Sequence, residues 1–412
     1  MNTSLKPINS QAGREQFQLK DNIFKDKNLL IVVSITMISI MPLFSISPVL
    51  STIATGLNIS SAQSGLIMAA FLMPVAIGTP IFGILADHFG FKKILIPSLL
   101  VFALGGVLCA MSPNFRSLIE WRILQGFGGA SLEALVLSMI GSLYGGKKLT
   151  AAMAFNAGAI GVGSTIYPIL GGVLASLNWR YPFALSLLAI PVALLVALKL
   201  KLPKRQKNTE KFQLGSYVKN ILKSIQNRNV LLLFFAVITL FMVEFGAFYT
   251  FTPVFAGETL GATSAVIGMV LTTNALSLTV FSFFVTLFAH KVSEINLIKI
   301  SFIIFAVALC IIPTVNSIPM LVIPCVLIGL VEALAFPSLQ SSIAKLAPQE
   351  YRSGFMSLNV TIQAIGRAIG PVFAGILFGM SGIATVCFIG AAVTVISILI
   401  FSLFINVKSR KA

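Results

Sequence analysis

Four ionisable side chains stand deep inside long apolar runs: Glu133, Glu244, Glu332 and Arg367. An ionised group in hydrocarbon is costly, so its presence there points to function. A low-dielectric surrounding favours the neutral acid. A carboxyl held near that balance can take up and release a proton. At least one of the three glutamates is therefore expected to carry a coupling proton. Arg367 is expected to neutralise another, with Glu332 as its first candidate. Asn156, Asn274, Asn359 and Gln363 are polar at similar depth and are candidate cavity residues. Phe245, Phe248 and Tyr249 flank Glu244 and are candidates for an apolar pocket taking an amphipathic or cationic solute.

Other chemistry finds little support. The histidines are His88 and His290, and Cys109, Cys310, Cys325 and Cys387 sit in apolar runs without metal-ligand spacing. No metal site, disulfide or cofactor is expected. An enzyme needs clustered nucleophiles, bases or metal ligands, and none is visible. A phosphate-binding loop of Walker type is absent, so ATP is not the expected energy source.

Elements that hold such charges must themselves sit in lipid. Of 412 residues, 57% are hydrophobic and only 10% charged, and mean hydropathy is +0.97. Soluble domains carry roughly 25% charged residues, and disorder needs low hydrophobicity. Twelve apolar segments can be drawn, at 29–54, 63–86, 94–112, 117–143, 150–176, 181–200, 230–256, 263–289, 297–315, 319–345, 352–379 and 384–406. Their length and lack of alternation predict spanning helices rather than a porin-like barrel. The first run begins too late and is too long for a secretory signal. It is read as a spanning helix behind a cytoplasmic tail of residues 1–28.

The net charge of +17 suggests nucleic acid until the bases are placed. Of the 29 Lys and Arg residues, 25 fall in the tails and in alternate connections, all on one side. The opposite connections hold Arg116 and Arg180, while Arg122 and Arg367 lie within spans. This asymmetry predicts both termini in the cytoplasm, with no nucleic-acid partner. A basic linker, 203–229, separates six spans in 29–202 from six in 230–407, and residues 408–412 form a short tail. Shifting one half by 203 positions places Met153 on Met356, Asn156 on Asn359, Gly163 on Gly366, Pro168 on Pro371, and Gly126 on Gly329. The two halves therefore read as repeats of one topology, with a site expected between them near the midplane.

Three motifs carry a resemblance. Between spans two and three, Gly83, Asp87, Gly90, Lys92 and Lys93 fall in a run that resembles the major facilitator superfamily signature G-x-L-a-D-r-x-G-r-k. The second half lacks it, with His290 in place of the acid and Ser293 in place of the glycine. Span four carries Arg122, Gln125, Gly126, Gly128, Gly129 and Ala130, similar to a second signature of that family. Arg122, Gly126, Gly129 and Glu133 share one helical face. Arg122 and Glu133 lie roughly 16 Å apart along the axis, so each needs its own partner. Span five carries Gly163, Pro168, Gly171 and Gly172 in a run resembling the antiporter motif, with Tyr167 at its second glycine. Span eleven repeats it with Gly366, Gly370 and Pro371. Such small residues permit close helix contact.

The resemblance covers nearly the whole chain and points to the twelve-span drug:proton antiporter branch. It implies an all-α membrane protein of two pseudo-symmetric six-helix bundles in the cell membrane, functional as a monomer. Asp87 with the neighbouring bases would latch the halves at the cytoplasmic face. The implied function is proton-coupled efflux of small amphipathic or drug-like molecules by alternating access. An exporter of an endogenous metabolite such as a siderophore, or an uptake symporter, is the nearer alternative. A membrane-embedded enzyme or lipid translocator is the distant one. Span one, where many members of this branch carry an acid, has none, and Glu244 occupies the repeat-equivalent position of Met41.

Overall fold

A computed structural model describes residues 26–202, 227–288, 292–346 and 352–404. The expected N-terminal tail up to residue 25, the linker from 203 to 226 and the C-terminal tail lie outside the described residues, as does His290. All regular structure among the described residues is helical. The first half contains α1 (Lys27–Leu57), α2 (Ser64–Phe89), α3 (Phe91–Ala110), α4 (Phe115–Leu143), α5 (Gly146–Leu177) and α6 (Tyr181–Leu198). The second contains α7 (Arg228–Glu258), α8 (Ser264–Phe288), α9 (Glu294–Thr314) and α10 (Ile318–Leu346). A last stretch, Arg352–Phe404, breaks at Ser381 and Gly382, where the backbone leaves helical angles. It therefore forms two spans, α11 (352–380) and α12 (383–404). Twelve apolar segments result, with boundaries within a few residues of those expected.

Local chemistry explains several of the ends. Asp26 and Asn114 accept hydrogen bonds from the first-turn amides of Asn28 (2.8 Å) and Ser117 (2.9 Å), satisfying donors the helix itself leaves free. Gly90 separates α2 from α3 at φ +91°, a conformation that costs glycine little. Leu177, Leu198 and Leu403 are each about three-quarters exposed. Large apolar side chains tolerate such exposure when the solvent is lipid.

Glycines set how closely the helices approach, and they do so twice over. A β-carbon at Gly126 of α4 would strike the Phe71 carbonyl of α2, and one at Gly329 of α10 would strike the Asn274 carbonyl of α8. Gly65 of α2 lies on the Pro371 carbonyl of α11, and Gly268 of α8 lies on the Pro168 carbonyl of α5. Each pair maps onto the other by the same shift of 203 positions. The repeat in the sequence is thus a repeat in space, and the second set of contacts joins the halves.

That junction closes one end of the molecule. Ser47 of α1 donates to the Tyr249 carbonyl at 2.5 Å, and the hydroxyls of Thr52 and Ser264 lie 2.6 Å apart. Ser61 bonds Glu258, and Thr272 donates to the Thr165 carbonyl at 2.9 Å. On α5, residues 172, 168, 165, 161 and 158 follow one helical face. The first three meet α8, whereas β-carbons at Gly161 and Gly158 would meet nothing within 4 Å. Along the continuation of the facing α8 stripe, Leu276, Val280 and Phe283 are exposed. The halves therefore part toward the end that carries Gly90, the Lys147–Lys148 pair and the start of α9.

Candidate functional site

The site is built around an irregular stretch of α7. From Glu244 to Phe251 the helix has π geometry. Thr250 and Thr252 turn their hydroxyls onto carbonyls five residues back, those of Phe245 (2.6 Å) and Ala247 (3.0 Å). Turns of this kind are rare and are frequent at functional positions. Pro253 has no N–H to give the Tyr249 carbonyl four residues earlier. The Ser47 hydroxyl from the opposite half donates to that carbonyl instead. α1 departs from α geometry at the facing position, through a 3-10 turn at Ser47–Val49 that contains Pro48.

Glu244 is buried at the start of the π stretch. Its carboxyl lies beside that of Glu332 on α10. Two carboxylates side by side in a low-dielectric surrounding repel each other, and a proton held by either one relieves that cost. Glu332 Oε1 also accepts from Asn274 Nδ2 at 3.1 Å and from the Tyr249 hydroxyl at 3.3 Å. The same hydroxyl lies 3.0 Å from Asn274 Oδ1. Three helices, α7, α8 and α10, thus converge on this pair of acids. Phe44 of α1 sets its ring edge-on to Tyr249 at 5.5 Å, so the cluster reaches the boundary between the halves.

Arg367 of α11 is not paired with Glu332. Its Nη2 donates to Glu133 Oε1 on α4 at 2.5 Å, an ion pair across the halves. The Arg367 and Glu133 side chains are 13% and 30% exposed, so the pair borders open space. The guanidinium sits 5.9 Å from the rings of both Phe241 and Phe245. It also acts electrostatically on Glu244. With Glu133 and Arg367 neutralising each other, the unbalanced charge rests on the Glu244–Glu332 pair.

The remaining expected residues divide. Asn274, Tyr249 and Phe245 join the acid cluster. Phe248 is fully buried behind Tyr249, with ring centroids 4.9 Å apart. Asn156 accepts from Thr36 of α1 at 2.6 Å, within the first half. Asn359 donates to Gln340 of α10 at 2.6 Å, and Gln363 is buried on the same helix as Asn359. Thr36, Gln340 and Phe241 were missed, although polarity at depth marks the first two. Arg122 is fully buried rather than reaching for an interface. Its Nε donates to the Ile67 carbonyl at 3.2 Å and its Nη1 to Gln125 at 2.9 Å. Phe71 covers the guanidinium at 4.8 Å.

The antiporter-like run and its repeat each pack partly within their own half and partly across the junction, where Pro168 meets Gly268 and Pro371 meets Gly65. Gly163 and Gly171 lie against Ile40 and the Ser45 carbonyl of α1. Gly366 and Gly370 lie against the Ile238 and Met242 carbonyls of α7. Gly172 instead faces the Ser264 carbonyl across the junction. In the loop signature, the backbone of Asp87 belongs to α2, while its side chain lies outside the described residues. Lys92 donates to the Ala197 carbonyl at the end of α6 at 3.1 Å. Lys93 is exposed, and Gly83 has open space around it.

Twelve helices in two repeats, closed at one end around buried acids, are the architecture that the motifs imply. The family model of the Major Facilitator Superfamily matches residues 32–262 and 250–412. The chain belongs to this superfamily. Multidrug resistance protein 2 of Bacillus subtilis is 27% identical over 378 residues, covering 88% of this chain and 92% of the relative. The bacillibactin exporter of the same organism is 34% identical over 164 residues, or 38% of this chain and 41% of the relative. In fold, the chain is similar to a bacterial homologue of the human lysosomal transporter Spinster, with a TM-score of 0.76. That likeness has 17% identity and covers 91% of this chain and 95% of the other. This superfamily member is a multi-pass membrane transporter for small molecules.

Proposed function

We propose that the protein couples inward proton flow to efflux of small amphipathic molecules, using Glu244 and Glu332 as the proton site. The observation that carries this reading is the burial of those two carboxyls side by side, with Tyr249 and Asn274 on Glu332, beside the interface of the halves. The open end faces the cytoplasm, because the basic connections gather there and mark the retained side of a membrane protein. On this reading both termini, and the basic connection between the bundles, belong to the cytoplasmic side. Cargo enters the cleft from the cytoplasm beside Glu133 and Arg367. Phe241, partly exposed beside the Arg367 guanidinium, supplies the apolar wall. Rocking of the halves then closes the cytoplasmic end, where Asp87 and the bases after it form a latch, and opens the other.

The driving force is the proton gradient, with no ATP and no bond made or broken, and one copy of the chain suffices. Each charge crossing 100 mV contributes about 2.3 kcal/mol, enough to drive a substantial solute gradient. Inside-out vesicles with an imposed acidic interior test this, using a fluorescent amphipathic cation as cargo. Accumulation is expected, and an ionophore that collapses the gradient abolishes it. The Glu244→Gln and Glu332→Gln variants are expected to lose accumulation against a gradient. Undiminished proton-driven accumulation in a variant carrying both changes overturns the assignment. The likeness to a bacillibactin exporter favours a second reading, export of a catecholate metal chelator. Competition of such a chelator with the fluorescent cargo distinguishes the two.

A further inference from the structure

Tyr249 touches two things that transport must keep in step. Its hydroxyl lies among the groups around the two buried acids, 3.0 Å from Asn274 Oδ1 and 3.3 Å from Glu332 Oε1. Its backbone carbonyl receives the Ser47 hydroxyl from the opposite half, at the closed end. We propose that Tyr249 is the positioning residue that reports the protonation of the Glu244–Glu332 pair to the seal between the halves.

The chemistry of one hydroxyl supports this. It carries one hydrogen and faces two acceptors. When Glu332 is ionised, the hydrogen turns to its carboxylate, where a charge-assisted bond is stronger. When Glu332 holds the proton, Asn274 Oδ1 becomes the better acceptor. The hydroxyl therefore ties the ring to Glu332 in one state and releases it from that carboxyl in the other.

The backbone of Tyr249 is able to follow its ring. It lies within the π stretch, and Pro253 cannot donate the N–H that an α-helix would supply to its carbonyl. What holds that carbonyl across the junction is the Ser47 hydroxyl, so a turn of the π stretch moves a bond between the halves. The charged and titratable groups facing the pair are Tyr249 on α7, Cys325 on α10 and Arg367 on α11, the last neutralised by Glu133 of α4. α8 contributes Asn274, which does not titrate.

The inference rests on the proton site proposed above, and one experiment separates the two. Thr55→Cys and Thr259→Cys place spin labels on exposed positions at the closed end, one per half. The four native cysteines are replaced by alanine. The inter-label distance is measured in acidic and alkaline buffer. The parent chain is expected to show a pH-dependent shift in that distance. Tyr249→Phe keeps the ring that packs on Phe44 and Phe248, removes only the hydroxyl, and is expected to lose the shift. Ser47→Ala is expected to open the closed end at both pH values while keeping the pH midpoint of transport. A parent chain with no pH response removes the proton site and this inference together. A response that disappears in the Glu244→Gln, Glu332→Gln chain but survives in Tyr249→Phe overturns the inference alone. A Ser47→Ala chain that closes as fully as the parent overturns the link through the carbonyl.

Discussion

At the scale of single residues, the molecule concentrates its electrostatic cost in two places with different solutions. Glu133 and Arg367 neutralise each other across the halves, whereas Glu244 and Glu332 lie together within one half, where Tyr249 and Asn274 hydrogen-bond Glu332. The first pair is partly exposed, so its strength is below that of a dry ion pair. Glu133→Gln leaves Arg367 with a weaker acceptor and is expected to cost about 1–3 kcal/mol. Thermal unfolding in detergent measures this, and the charge swap Glu133→Arg with Arg367→Glu is expected to recover most of the loss. A swap no more stable than Glu133→Gln would show that the pair is incidental. The three glutamates were legible in the sequence because charge in an apolar run stands out. Their partners were not. Arg367 was expected on Glu332, yet it meets Glu133, 234 positions away. Only the way the two halves are docked brings them together.

At the scale of elements, the helices follow from apolar length, and their close approaches follow from glycine. The two kinds of glycine make opposite predictions. Gly65→Ala drives a β-carbon into the Pro371 carbonyl, and backbone cannot yield as a flexible side chain does. A loss of about 1–3 kcal/mol is expected, together with greater thiol reactivity of Thr55→Cys as α2 and α11 separate. Gly158→Ala enters open space and exchanges glycine for the best helix former. It is expected to leave unfolding temperature unchanged or raised. Equal losses in both variants would contradict the packing described. The π stretch of α7 had no signature in the apolar pattern, since an inserted residue shifts the face of the helix without changing its composition. Pro253 is its one visible trace, because it removes a backbone donor.

At the scale of the whole molecule, two repeats close on each other at one end and part at the other. Thr52 and Ser264 stand on opposite halves with hydroxyls 2.6 Å apart. In a chain with the native cysteines replaced, Thr52→Cys with Ser264→Cys is expected to form a disulfide on mild oxidation. Transport then stops and returns with reductant, because the closed end cannot open. Full transport by the oxidised chain would exclude alternating access through this junction. The shift of 203 positions exposed the duplication before any coordinates were considered. It also contained the pairs Gly65 with Gly268 and Pro168 with Pro371, whose contact becomes meaningful only once the repeats face one another.

What the sequence determined by itself was the solvent and the plan. Apolar length requires helices in lipid, basic loops indicate a side, and a fixed offset requires two like halves. These are properties of composition and spacing, and they hold for any arrangement of the helices in the membrane. The tertiary structure alone decided which acid meets which base, where the halves touch, and that one tyrosine stands between the two buried acids and the junction. Those facts depend on crossings between residues 83 to 234 positions apart in the chain, and no local pattern encodes such a distance.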